Sequence, residues 1–147
     1  MRVTGIVALT ALACGGETIA TRTPAAKDRA APRGVIVEVD MAGDGTRGAT
    51  FDPAAITITP GGTVRFVNVS GGVPHAVVFW EDSMPPGAAD RVSGAMPNRV
   101  DRLSGPYVVH PTDAYAITFP PDAPPGNYGA YCLSHLALGM RLRITVK

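Results

Sequence analysis

The chain has 147 residues, enough for one domain with a single sizeable core. A formal net charge of +1 and a charged fraction of only 17% exclude the basic footprint of a nucleic-acid binder and the charge-driven expansion of a disordered chain. Seventeen Gly and 14 Pro are spread between short apolar runs, a distribution that predicts many turns and short strands.

The first residues have the form of an export signal. Arg2 gives a positive start and Ile6 to Ala13 a short apolar run, too short to cross a bilayer as a helix. Small residues then lead to Cys14, which resembles the lipidated cysteine of a lipobox. Ala11-Leu12-Ala13 equally matches an A-x-A cleavage site that releases a soluble protein. In this reading residues 1–13 are the signal peptide, and either processing sends the rest to the periplasm or the outer face of a bacterial membrane. Residues 14–33 are rich in Ala, Thr, Pro and Arg without an apolar period. They read as a tether able to span on the order of 25 Å.

The domain is expected over residues 34–147. "GVIVEVDMAG" (34–43) alternates, with Val35, Val37 and Val39 on one side. "AITITP" (55–60) ends in a Pro60-Gly61-Gly62 turn, and "TVRFVNV" (63–69) alternates again. "HAVVFW" (75–80) is almost wholly apolar, as a central strand would be. Residues 81–105 lack a sustained period and read as a long surface loop with at most one helical turn. "PYVVH" (106–110), "AYAITF" (114–119), "YGAYC" (128–132) and "MRLRITV" (140–146) complete the series. The pattern predicts an all-β Greek-key sandwich or barrel of about seven to eight antiparallel strands, with no helix able to support a βαβ unit.

"YCLSHLALGM" (131–140) carries the chemistry. Cys132, His135 and Met140 lie between the end of one expected strand and the start of the next, so one turn gathers all three. Thiolate, imidazole and thioether are soft donors that suit copper, whereas calcium and magnesium take oxygen. Structural zinc sites prefer four Cys or His ligands, and Cys132 is the one cysteine left once Cys14 is assigned to processing. A fourth donor must come from elsewhere. His75, at a strand start behind Pro74, completes a His₂Cys set with a long axial Met, the arrangement of blue-copper centres. His110 precedes Pro111 in a turn and reads as a solvated surface residue. Each ligand candidate taken singly is ordinary core filling; the combination is what points to a metal.

These residues resemble the plastocyanin family of cupredoxins, whose pattern is C-x₂-H-x₄-M near the C-terminus with a His on an earlier strand. "ITITPGG", "GGTVRFVN", "PHAVVFWEDSMPPGA" and "GNYGAYC" resemble the corresponding family segments, and the likeness covers roughly residues 49–147. Two positions depart. Ala76 stands where Asn is common after the first His, and Leu133 where Ser is common after the Cys; apolar packing is expected to replace the hydrogen-bonded lock. Of the acidic patch of plant-type members only Glu81 and Asp82 match, and Arg91, Arg99 and Arg102 follow. A photosynthetic partner is therefore not expected.

The resemblance implies one copper ion cycling between Cu⁺ and Cu²⁺, single-electron shuttling between redox proteins, and no enzyme activity. It implies an electron exit at His135 inside an apolar docking patch of Pro74, Leu136, Ala137, Leu138 and Gly139, used transiently by a monomer. Tyr131, beside the Cys, is a second candidate route. The membrane enters only through a lipid anchor at Cys14. The alternative is an exported copper carrier or storage protein, for which Met41, Met84 and Met96 are scattered rather than clustered. A metal-free sandwich on a lipid anchor is the third reading.

Overall fold

The computed structural model describes residues 34–147. The expected signal over 1–13, the lipidation candidate Cys14 and the tether lie outside the described residues.

Eight strands form two four-stranded sheets. β1 (Ile36–Gly43), β2 (Ala49–Asp52), β4 (Thr63–Asn68) and β6 (Ala114–Thr118) form the first, in the order β2-β1-β4-β6. β3 (Ala55–Ile58), β5 (Val77–Phe79), β7 (Gly126–Cys132) and β8 (Arg141–Val146) form the second, in the order β3-β8-β7-β5. The all-β sandwich expected from the turn spacing is thus the fold. Its pairing is mixed rather than purely antiparallel, because β1 runs parallel to β4 and β3 parallel to β8. Parallel neighbours need a long connection, and residues 44–62 and 59–140 supply one in each case.

Alternation sets the faces as it does in any half-buried strand. On β8, Leu142, Ile144 and Val146 are buried while Arg141 and Arg143 are exposed. Burial grows along β1 from the residue before it: Val35 is exposed, Val37 half-buried, Val39 and Met41 fully buried. Phe51, Phe66, Phe119 and Tyr128 fill the core, the last two edge to face at 5.5 Å. The β3–β4 turn follows its sequence: Pro60 presets φ, Gly61 takes φ +80°, and the N–H of Gly62 donates to the Thr59 carbonyl at 2.9 Å.

Four expectations need correction. β2 was hidden because "ATFD" is short and buries only Phe51. Residues 81–105 contain a helix, α1 (Ala88–Ala95), which seats Ala88, Ala89 and Val92 on the core. β5 is at the end of its sheet order, not central. It is buried because the 101–108 segment lies along its open edge: Phe79 N–H donates to Leu103 O at 3.0 Å and Gly105 N–H to Val77 O at 2.9 Å. That segment's "PYVVH" is not a strand. Val108 makes one bridge to His75, and a side chain takes the next carbonyl, Val109 O, in place of a ladder.

Candidate metal centre

Three strand ends define the site. Val77 of β5 pairs with Cys132 at the end of β7, and Tyr131 pairs with Arg141 at the start of β8. His75 stands two residues before β5, held on both sides by Val108: its N–H donates to Val108 O at 3.1 Å, and Val108 N–H donates to its carbonyl at 2.7 Å. After Cys132 the chain makes a 3₁₀ turn (Leu133–Leu138) that carries His135. Gly139, at φ +82°, lets the chain reverse out of that turn into β8. Met140 closes it, its N–H donating to His135 O at 3.2 Å and its carbonyl accepting from Cys132 N–H at 3.1 Å.

This geometry brings ligand atoms of His75, Cys132 and His135 within 4.8 Å of one another. Cys132 Sγ is 3.3 Å from Nδ1 of His135 and 3.7 Å from Nδ1 of His75. An ion bound at about 2.0–2.3 Å to N and S separates two such donors by roughly 3.3–3.7 Å at angles of about 100–120°. The donor set therefore fits a first-row ion, and its softness fits copper. Cys132 and His75 are fully buried and His135 nearly so. The Met140 side chain is also fully buried, with its main chain tied to Cys132 and His135. His110 is exposed and stands outside the cluster.

Burial keeps the His75 imidazole available. Burial, and secondarily the charge of His135, push the His75 pKa down to about 4, so the ring is neutral at pH 7 with a lone pair to give. The Ala76 N–H reaches Cys132 Sγ at 3.5 Å, a donor aimed at the sulfur.

Around the centre, Pro74, Ala137, Leu138 and Gly139 are exposed and Leu136 is half-buried. Leu133 is 50% exposed, so the expected apolar replacement of the lock does not form there. Polar bonds tie the loops instead. Ser134 Oγ donates to Tyr107 Oη at 3.2 Å, and Asn68 Nδ2 donates to the carbonyls of Val73, Val108 and Val109 at 2.9–3.2 Å. Asn68 and Ser70, which the sequence reading did not single out, are both buried. Their signal was available: they continue the core-facing parity of Val64 and Phe66 with polar side chains. The methionines weighed for carriage are in or against the core: Met41 and Met96 are buried, and the partly buried Met84 packs against the core cluster.

Two charged or aromatic features lie outside the centre. Glu81 is paired to Arg102, which also holds Asp90 at 2.7 Å. Tyr131 stacks on Trp80 at 4.7 Å, with the Arg141 guanidinium 5.2 Å from the indole.

The family model for copper binding proteins of the plastocyanin/azurin family matches residues 37–147. The chain is 39% identical over 109 residues to the chloroplastic plastocyanin of Physcomitrium patens, covering 74% of this chain and 56% of that protein. It is 36% identical over 98 residues to plastocyanin of Scenedesmus fuscus, covering 66% and 86%. Its fold superposes on oxidised plastocyanin from Dryopteris crassirhizoma with a TM-score of 0.56 at 25% identity, covering 76% of this chain and all of that one.

Proposed function

Because the chain belongs to the plastocyanin/azurin family of copper-binding proteins, we propose that it is a type 1 copper electron carrier, with His75, Cys132, His135 and Met140 as its ligands. The observation that carries this reading is the buried Nδ1–Sγ–Nδ1 cluster, assembled from loops 57 residues apart with spacings of 3.3 and 3.7 Å. Bound there, copper supplies a one-electron couple between its +1 and +2 states. The residues supply rigidity. Each histidine and the cysteine is anchored by main-chain bonds to a neighbouring segment, so the donor positions are set before the metal binds. No exposed position is left among the three donors for a substrate, which favours a carrier over an enzyme.

His135 is 5% exposed and shares one short turn with the exposed Ala137 and Leu138, capped by Gly139, which supports electron transfer through an apolar patch to a transient protein partner. The pairing of Glu81 with Arg102 disfavours a partner that reads an acidic face. Arg2, the apolar run to Ala13, and Cys14 support export, with or without a lipid anchor.

The test is a copper titration of the full chain. An intense thiolate-to-copper band near about 600 nm with reversible one-electron reduction is expected. A colourless, readily exchanged complex would instead support copper carriage.

A further inference from the structure

The edge of His75 turned away from Cys132 ends on a buried polar chain. His75 Nε2 lies 2.9 Å from Ser70 Oγ. Ser70 Oγ lies 2.5 Å from Asn68 Oδ1 and 3.0 Å from the carbonyl of Val73. The orientation of the Asn68 amide is fixed by its partners. Its Nδ2 faces three carbonyls, which only accept, and its Oδ1 faces the Ser70 N–H at 2.9 Å, which only donates.

The direction of every bond then follows. A hydroxyl has one proton. Two oxygens 2.5 Å apart need a proton between them, so the Ser70 hydroxyl proton lies toward Asn68 Oδ1, and Ser70 faces His75 with a lone pair. Only an Nε2–H can meet it. A neutral imidazole carries one N–H, so Nδ1 is left bare, and Nδ1 is the atom 3.7 Å from Cys132 Sγ. Ala76, the residue after the ligand, has no side chain that could take over this task.

We propose that Ser70, oriented by Asn68, is a positioning residue that fixes His75 in the Nδ1-donating tautomer before a metal arrives. The proposal deepens the copper reading and rests on it for its purpose, though the tautomer itself is a property of the metal-free protein. Outer groups that hold a ligating histidine commonly change metal affinity by about 10–100-fold when removed.

The experiment uses the full chain as wild type, Ser70→Ala and Ser70→Thr. Two-bond ¹H–¹⁵N correlation of the metal-free proteins reads the His75 tautomer, and competition with a chromophoric Cu⁺ chelator reads affinity. The wild type should show a single Nε2–H tautomer. Ser70→Ala should populate both tautomers and bind Cu⁺ at least about tenfold more weakly. Ser70→Thr, which keeps the hydroxyl, should restore both. A wild-type Nδ1–H tautomer overturns the proposal without any variant, so it is decided even if Ser70→Ala does not fold. A Ser70→Ala protein with one Nε2–H tautomer and wild-type affinity overturns it as well. Failure of the copper reading is separate: the wild type then binds no Cu⁺ tightly, whatever its tautomer.

Discussion

The main-chain N–H of Ala76 and the sulfur of Cys132 face each other at 3.5 Å across two loops that are 56 residues apart. The sulfur thus has an amide donor and two imidazole nitrogens around it, and no apolar side chain is needed to explain its burial. Cys132→Ser shrinks the donor and hardens it. The metal-free variant should fold with a loss of about 1–2 kcal/mol, the scale of a small core change. Copper affinity should fall by more than about 100-fold and the thiolate band should vanish, since no other cysteine lies among the described residues. Absorbance titration with urea unfolding checks both. A variant that keeps wild-type affinity would remove Cys132 from the ligand set, and a wild type that takes up no copper would support the metal-free reading.

Met140 offers a softer perturbation. Its side chain is fully buried and its main chain joins Cys132 to His135. Met140→Leu conserves volume, so the metal-free protein should lose less than about 1.5 kcal/mol. If the thioether is the axial donor, its loss removes a ligand that favours the oxidised ion. The reduction potential should rise while the colour persists. Voltammetry reads the shift, and an unchanged potential would remove Met140 from the ligand set.

Much of this was legible because it is local. The parity of Leu142, Ile144 and Val146 is written in β8 itself, and Cys132, His135 and Met140 share one turn. What could not be read depends on partners distant in sequence. "PYVVH" has the composition of a strand, but the Asn68 side chain takes the carbonyls of Val108 and Val109. β5 reads as central because the 101–108 segment covers its edge, and no periodicity announces that cover. Ser70 looks like a turn residue until His75 is placed beside it.

A titration on β6 tests the packing of the other sheet. Tyr115 is 6% exposed, and its hydroxyl donates to Pro97 O at 3.0 Å. Burial raises its pKa to about 12, with Arg99 opposing. Below pH 10 both folded and unfolded states hold the proton, and the contribution is whole. Between about pH 10 and 12 the unfolded state ionises first, so stability falls by roughly 1.4 kcal/mol per pH unit, about 3 kcal/mol in all. Tyr115→Phe should start about 1 kcal/mol less stable, having left Pro97 O unpaired, and lack this steep decline. Urea unfolding at stepped pH, with tyrosinate absorbance as the second probe, distinguishes the two slopes.

The proposed electron exit can be tested without knowing the partner, because two copies of the protein can exchange an electron with each other. His135 is 5% exposed, while Leu133 and Leu138 beside it are 50% and 39% exposed. If the electron leaves there, two molecules must bring these apolar ends together. Leu138→Glu sets a like charge on each face, and the approach is opposed at close range. Self-exchange, measured by NMR line broadening in mixtures of reduced and oxidised protein, should slow by at least about tenfold at low salt. Added salt should recover part of the loss, since exposed charges are screened over about 8–10 Å at physiological ionic strength. The visible band and the potential should not move, because Leu138 is not placed among the ligands. An unchanged self-exchange rate would move the exit to the Tyr131–Trp80 stack, where Arg141 supplies a cation instead of an apolar rim. Trp80→Leu should then slow exchange where Leu138→Glu did not.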